Sequence, residues 1–264
     1  MKNPYFELHK EFRTAGAEVL MSSGQACVLL GIATFSKDGD WIIKETPESC
    51  SIVLKILERK NASYRLGLPL DPAWLSKGWT SHFEYFLGNG YRMRVDFCSR
   101  PPRVPDISGL WQNSIKKYDV DIVDIQSLIE LKQTRRVRDY SIIGALAEVA
   151  GFVQDKPELS MMYLQDYELL KKAVKKWPEI ARKCNREAVQ TILQGKSRKD
   201  TVISLAVEQD EKIQADETRI NFYREKSKSY QRKCMAASAV WKSENISLSE
   251  QHNQLLSIVK EELV

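Results

Sequence analysis

Hydrophobic and polar positions alternate in short segments along the first part of the chain and in long helical stretches along the rest. Residues 4–17 set Phe6, Leu8 and Phe12 among charged neighbours and read as a helix. "EVLM" (18–21) reads as a short strand, "GQACVLLG" (24–31) as a short apolar helix, and "DWIIK" (40–44) as a strand. "TPESCSIVLKILERK" (46–60) opens on Thr46, Pro47 and Glu48, the cap, first-turn proline and early acid that start a helix. "SYRL" reads as a strand, "HFEYFLGNGYRMRVDF" (82–97) as two strands around a "GNG" turn, and "DVDIV" (119–123) as another strand. Helices follow at about 124–134, 136–151, 158–171, 171–193 and 198–262. A seven-residue ladder runs from Ala206 through Ile213, Ile220 and Ser227 to Leu255, but half of the positions three residues further on are polar. That argues against a continuous coiled coil and for two antiparallel helices broken near "KSENISLSE" (242–250), the second capped by Ser247 or Ser249.

Punctuation changes near residue 152. Every glycine but Gly195, and every proline but Pro157 and Pro178, lies before it. Glycine and proline interrupt short elements, so residues 1–152 are expected to be a mixed α+β domain and residues 153–264 an all-α C-terminal domain. The chain of 264 residues is long enough for two such domains.

Composition excludes more than it assigns. Forty basic and thirty-five acidic residues give a formal charge of +5, divided almost evenly between the two parts, so the total alone argues only weakly for nucleic acid. No apolar run approaches the roughly 18–20 residues of a membrane span, and "MKNPYFELHKEFRTAG" lacks a signal-peptide core. Cys27, Cys50, Cys98, Cys184 and Cys234 are widely spaced without a C-x-x-C pair, the pattern of reduced thiols in a cytoplasmic protein.

The chemistry concentrates in "SSGQACVLLGIATFSKDGDWIIK" (22–44). Asp38 and Asp40 stand two apart at the entry of a strand and so share a face. Like charges side by side are costly unless a cation or solvent lies between them. A third acid, Asp96, lies late in "YRMRVDFCS", where Tyr91, Met93, Val95 and Phe97 form one face and Arg92, Arg94 and Asp96 the other. Three carboxylates from two strands suit Mg²⁺, which takes one or two carboxylates together with phosphates and water. Ser23 and Gly24 open a helix, where backbone N–H groups favour phosphate. The bland readings are a polar turn at "SKDGD" and a simple helix cap at Ser-Gly.

In order and spacing these motifs resemble the nucleotidyltransferase superfamily, the DNA polymerase beta-like group. "MSSG", a thirteen-residue spacer, "DGDW" and "RVDF" are similar to that group's Gly-Gly/Ser turn, D-x-D strand and third strand acid. "LMSSGQACVLLGIATFSKDGDWII" further resembles small bacterial nucleotidyltransferases of the abortive-infection and toxin–antitoxin type. "VDIQSLIELKQTRRVRDYSIIGAL" is similar to the segment that follows the third acid there, with Leu128, Ile129 and Lys132 on its first part and Arg138 and Asp139 on its second. Ser23 and Gly39 depart from the pattern, standing where glycine and an apolar residue are usual.

The resemblance implies a small mixed sheet flanked by helices with the three acids at its edge, followed by helices. It implies transfer of a nucleoside monophosphate from an NTP to an RNA, protein or small-molecule acceptor, with two Mg²⁺ ions, in a protein of the toxin type with a cognate antitoxin. Asp38, Asp40 and Asp96 would hold metal, Asp96 would help deprotonate the acceptor, and Ser23, Gly24, Ser36 and Lys132 would contact the nucleotide. The alternative is a catalytically inactive binding or scaffold protein that keeps the fold; a D-x-D sugar-nucleotide enzyme would need a larger first domain. Arg135, Arg136 and Arg138 form a basic knot that either meets an RNA backbone or lies on an exposed turn. His82 reads as a strand-face histidine with a structural hydrogen bond, and Trp74, Trp79 and Trp111 as packing residues or base-stacking surfaces. The C-terminal helices pack within the chain or form an oligomer contact.

Overall fold

The architecture is that of a computed structural model, which describes residues 3–263, the side chain of Leu66 apart. It is mixed α+β, with a seven-stranded mixed sheet and a helical remainder. The residues divide into two compact units, one up to Asp124 together with Phe222 onward, the other Ile125–Asn221.

The first unit contains α1 (Pro4–Thr14), β1 (Val19–Ser22), α2 (Ser23–Leu29), β2 (Gly39–Ile43), α3 (Pro47–Arg59) and β3 (Ser63–Gly67). It continues through α4 (Pro72–Leu75), β4 (Thr80–Phe86), β5 (Arg92–Cys98), α5 (Ile107–Gln112), β6 (Ile115–Lys117) and β7 (Val120–Ile122). The strand order is β3-β4-β5-β2-β1-β7-β6. β2 runs parallel to β5 and β1 parallel to β7, while the other pairs are antiparallel. The helix signals at "TPESC" act as expected, since the Thr46 hydroxyl accepts from Ser49 N–H. "DVDIV" supplies the second strand of a hairpin whose two-residue turn, Tyr118-Asp119, has positive φ at both positions, as a type I′ turn requires.

Period-two alternation sorts the sheet into two faces. Phe83, Val95 and Phe97 are buried on one of them with Trp41. Phe12 of α1 packs edge-on to Trp41 at 5.7 Å, and Trp41 stacks on Phe97 at 5.7 Å. Gly39 belongs to this packing. A Cβ at residue 39 would lie 2.5 Å from the rings of both Tyr5 and Trp41, so an apolar side chain there has no room. The opposite face carries Thr80, His82, Glu84, Arg94 and Asp96.

The second unit is helical: α6 (Ile125–Lys132), α7 (Val137–Phe152), α8 (Pro157–Tyr163), α9 (Tyr167–Lys176), α10 (Pro178–Lys183), α11 (Glu187–Leu193) and α12 (Arg198–Lys226) as far as Asn221. The helix expected over 158–171 is two, because the Asp166 carboxylate caps a new helix by accepting from Leu169 N–H. Gly151 lets α7 and α8 approach, since a Cβ there would lie 2.0 Å from Ser160 Oγ.

The units do not divide at residue 152. Two further helices, α13 (Lys228–Glu244) and α14 (Leu248–Leu263), belong with the sheet. Gln251 Oε1 accepts from Tyr64 N–H at 3.0 Å, the Tyr64 hydroxyl meets His252 Nδ1 at 2.7 Å, and the Tyr230 hydroxyl donates to Gly67 C=O at 2.9 Å. These bonds occupy the outer edge of β3, which would otherwise present unpaired backbone groups. The break before α14 lies where expected: Asn245 is left-handed and the Ser247 hydroxyl accepts from Glu250 N–H. Ser249 hydrogen-bonds Glu58 instead. No disulfide links the five cysteines, and no described helix is long and apolar enough to cross a membrane.

Candidate functional site

The candidate site grows from the end of β1. Ser22 closes the strand, Ser23 turns the chain with φ +51°, and α2 begins. A left-handed residue favours glycine, so serine bears a backbone cost of about 1 kcal/mol here. Ser23→Gly is accordingly expected to raise stability by up to about 1 kcal/mol, read as a melting-temperature rise of a few degrees. A fall would show that the serine side chain holds the turn.

The segment returning to β2 is tied to α2. Gln25 is buried, receives Asn3 Nδ2 at 2.9 Å, and donates to Ser36 C=O at 3.0 Å and Asp38 C=O at 3.4 Å. The Ser36 hydroxyl donates to Asp38 C=O at 3.1 Å and lies so close to Gly24 that a Cβ there would sit 2.1 Å from it. The Tyr5 hydroxyl donates to Lys37 C=O at 2.6 Å, and burial pushes that phenol above its ordinary range. The segment Ser36–Asp38 leading into β2 is thus braced against Gly24 and Gln25 at the start of α2. Gln25, which the sequence analysis gives no role, is a polar residue inside an otherwise apolar helix and within the stretch that carries the resemblance.

Strand register then brings in the third acid. Ser22 pairs with Asp40, Asp40 with Asp96 across the parallel β2–β5 pair, and Asp96 with His82 across β4. Four polar residues from four strands stand in one row. Beside it Arg94 pairs with Glu84 across the strands, and Arg94 Nη1 reaches Asp38 Oδ1 at 3.4 Å.

Asp96 is engaged from two neighbouring strands, β3 and β4. Arg65 Nη2 donates to Oδ1 at 3.1 Å and Oδ2 at 3.4 Å. His82 Nδ1 lies 2.9 Å from Oδ1, an ion-pair distance without hydrogen-bond alignment, and His82 Nε2 meets Thr80 Oγ1 at 2.9 Å. The structural hydrogen bond expected for His82 is therefore present, with Asp96 as an added neighbour. Arg65 projects from a register irregularity in β3 between Tyr64 and Leu66, and its Nε is buried without an acceptor. Neither Arg65 nor its irregularity has a local signature in "SYRL".

The donor chemistry is of the type Mg²⁺ takes: carboxylates on adjacent strands are hard oxygen ligands. As folded, Asp38 and Asp96 are matched by arginines, and among the described residues no cluster of three or more His, Cys, Asp or Glu side chains is arranged to hold a metal ion. A cation would enter by taking the place of guanidinium contacts.

Lys132 belongs to the second unit, where it is buried with Nζ 3.8 Å from Asp139 Oδ1. Asp139 also accepts from Thr134 Oγ1 at 2.6 Å and Arg136 Nε at 2.8 Å. Lys132, Thr134 and Arg136 thus share Asp139, and Arg138 is exposed. Arg135 pairs with Glu217, so two of the three arginines of the basic knot have carboxylate partners. Trp74 is buried with Lys77 over its ring, and Trp79 packs edge-on against Tyr223, so both serve packing. Set against known proteins, the chain matches no family model and no curated sequence.

Proposed function

We propose that the sheet unit is a Mg²⁺-dependent nucleotidyltransferase that moves a nucleoside monophosphate from an NTP to an acceptor hydroxyl. The observation that carries this reading is the register of Asp40 against Asp96, with Asp38 two residues before Asp40 and the Ser23-Gly24 turn at the end of the neighbouring strand. Asp38, Asp40 and Asp96 would hold two Mg²⁺ ions, which when bound offset phosphate charge and sharpen the acidity of the acceptor. The turn and Ser36 would orient the triphosphate, with Gly24 keeping the approach open. Asp96 would take the acceptor proton as the acceptor oxygen bonds the α-phosphorus. The bond to the bridging oxygen of the β-phosphate breaks, and pyrophosphate leaves with that electron pair. Arg65, released from Asp96, has a buried Nε donor that an anionic ligand would satisfy. A toxin-type role, with an antitoxin as partner and RNA, protein or a small molecule as acceptor, rests on the resemblance.

One observation favours the second reading, an inactive binding protein. Arg65 already balances the charge of Asp96 without a metal. Thermal unfolding tests binding, and labelling of an acceptor separates the two readings. With NTP and Mg²⁺ at about a hundred times Kd, binding adds about 2.7 kcal/mol, a rise of about 5–10 °C. Asp40→Asn is expected to abolish the rise, and labelled NTP incubated with total RNA or protein is expected to label an acceptor. An undiminished rise in the variant would remove Asp40 from the site, and a rise without any labelled acceptor would favour the binding protein.

A further inference from the structure

The chain's even charge balance conceals local concentrations, and one of them covers two consecutive helices of the second unit. Tyr167–Lys183, covering α9 and α10, holds six basic residues and two acidic ones, most of the net charge of the whole chain. α9 buries Leu170, Ala173 and Val174, which leaves Lys171, Lys172, Lys175 and Lys176 exposed. At 3.6 residues per turn these four lysines occupy an arc of about 140°. None has a carboxylate within ion-pair distance among the described residues, whereas other basic residues of this unit do: Arg135 has Glu217, Arg186 has Glu208 and Arg198 has Glu168. Lys175 and Lys176 gain from the helix C-terminus, but Lys171 and Lys172 do not, and the i,i+4 pairs 171/175 and 172/176 repel.

The lysines are interleaved with half-exposed rings. Lys172 and Lys176 lie 5.0 and 5.1 Å from the Phe152 ring centre, and Lys176 lies 4.5 Å from that of Trp177. Lys171 stands 5.7 Å from the Tyr167 ring, with the Arg198 guanidinium at 5.4 Å from the same ring. Phe152 and Trp177 pack against each other at 4.8 Å. Unmatched cations spaced along a helix suit a chain of phosphates, and flat rings between them suit unpaired bases. An acidic protein would use the charges and leave the rings idle.

We infer that this face of α9 binds single-stranded nucleic acid, with lysines on the phosphodiester backbone and the Phe152–Trp177 pair as a stacking surface. The inference does not depend on the catalytic reading. Its test is fluorescence anisotropy with labelled single-stranded RNA, single-stranded DNA and duplex of the same length, using the full chain across a salt series. The wild-type chain is expected to bind the single strands. The quadruple Lys171→Gln, Lys172→Gln, Lys175→Gln, Lys176→Gln variant is expected to lose at least about tenfold in affinity at low salt, with a salt slope shallower by about three. Trp177→Leu is expected to weaken binding about fivefold or more while keeping the slope. The substituted lysines are exposed, so the quadruple variant should keep its melting temperature. Preference between RNA and DNA names the natural ligand. Failure of the wild type to bind either strand, equal binding by the quadruple variant, a preference for duplex, or lysine-dependent binding of polyglutamate or anionic vesicles in place of nucleic acid would each overturn the inference.

Discussion

Between about pH 7 and about pH 4 the protein is expected to lose about 3 kcal/mol of folding stability through His9 alone. His9 lies on α1, is fully buried, and has both ring nitrogens facing N–H donors: Trp41 Nε1 at 3.2 Å from Nδ1 and Asp121 N at 3.1 Å from Nε2. A neutral ring accepts one of these bonds, but a protonated ring accepts neither. The nearest compensating carboxylate, Asp121, is 3.9 Å from Nε2, and Arg13 and Lys10 oppose the charge. Burial is the largest cause, and together these effects lower the His9 pKa from 6.5 to about 4. The unfolded chain therefore binds the proton that the folded one refuses, so stability falls as pH drops through this window. The loss should be about 2 kcal/mol at pH 5 and about 3 kcal/mol at pH 4. Carboxylates titrate in the same range, so the measurement is the difference in pH dependence between wild type and His9→Gln in urea unfolding. The His9 ring resonance gives an independent check: a midpoint near 6.5 would overturn the prediction, and parallel stability curves would do the same.

His9 also shows where sequence reading stops. Local patterns were readable: the Thr46-Pro47 helix start, the "GNG" hairpin, and the alternation that puts Arg94 and Asp96 opposite Val95 and Phe97. Pairing was not. Asp40 meets Asp96 because β2 lies beside β5, although α3, β3 and β4 intervene along the chain. Gly39 departs from the resembling pattern, and the Tyr5 and Trp41 rings leave no space there for a side chain. The change in glycine and proline usage near residue 152 is real, yet α13 and α14 return to the sheet through contacts with Tyr64 and Gly67 that no local pattern encodes. Arg65 reaches Asp96 from β3, two strands away in the sheet, at a point where the β3 register shifts. The acids of the candidate site were therefore legible as residues, while the cations that balance them belong to the tertiary structure.

Gly67→Ala is expected to destabilise the protein by about 2–4 kcal/mol, from left-handed backbone strain plus overpacking. Gly67 ends β3 with φ +81°, and a Cβ there would lie 2.3 Å from the Thr80 carbonyl oxygen and 2.7 Å from His82 Cδ2. The carbonyl cannot turn aside freely, because it accepts from Leu68 N–H at 2.9 Å, and the Gly67 carbonyl is held by the Tyr230 hydroxyl. Relief must come from separating β3 and β4. Those strands carry Arg65 and His82, so the strain falls on the two groups that hold Asp96. Gly88 supplies the control, since a Cβ there meets nothing within 4 Å and its backbone is not left-handed. Urea unfolding of the two alanine variants checks the contrast. A Gly67→Ala variant within about 0.5 kcal/mol of wild type, the range of ordinary surface changes, would mean that β3 and β4 do not approach as described. If the clamp on Asp96 also governs cation entry, the same variant should lose stability yet keep or enlarge the melting-temperature rise on adding NTP and Mg²⁺. A purely structural clamp would lower the starting temperature and leave the size of the rise unchanged.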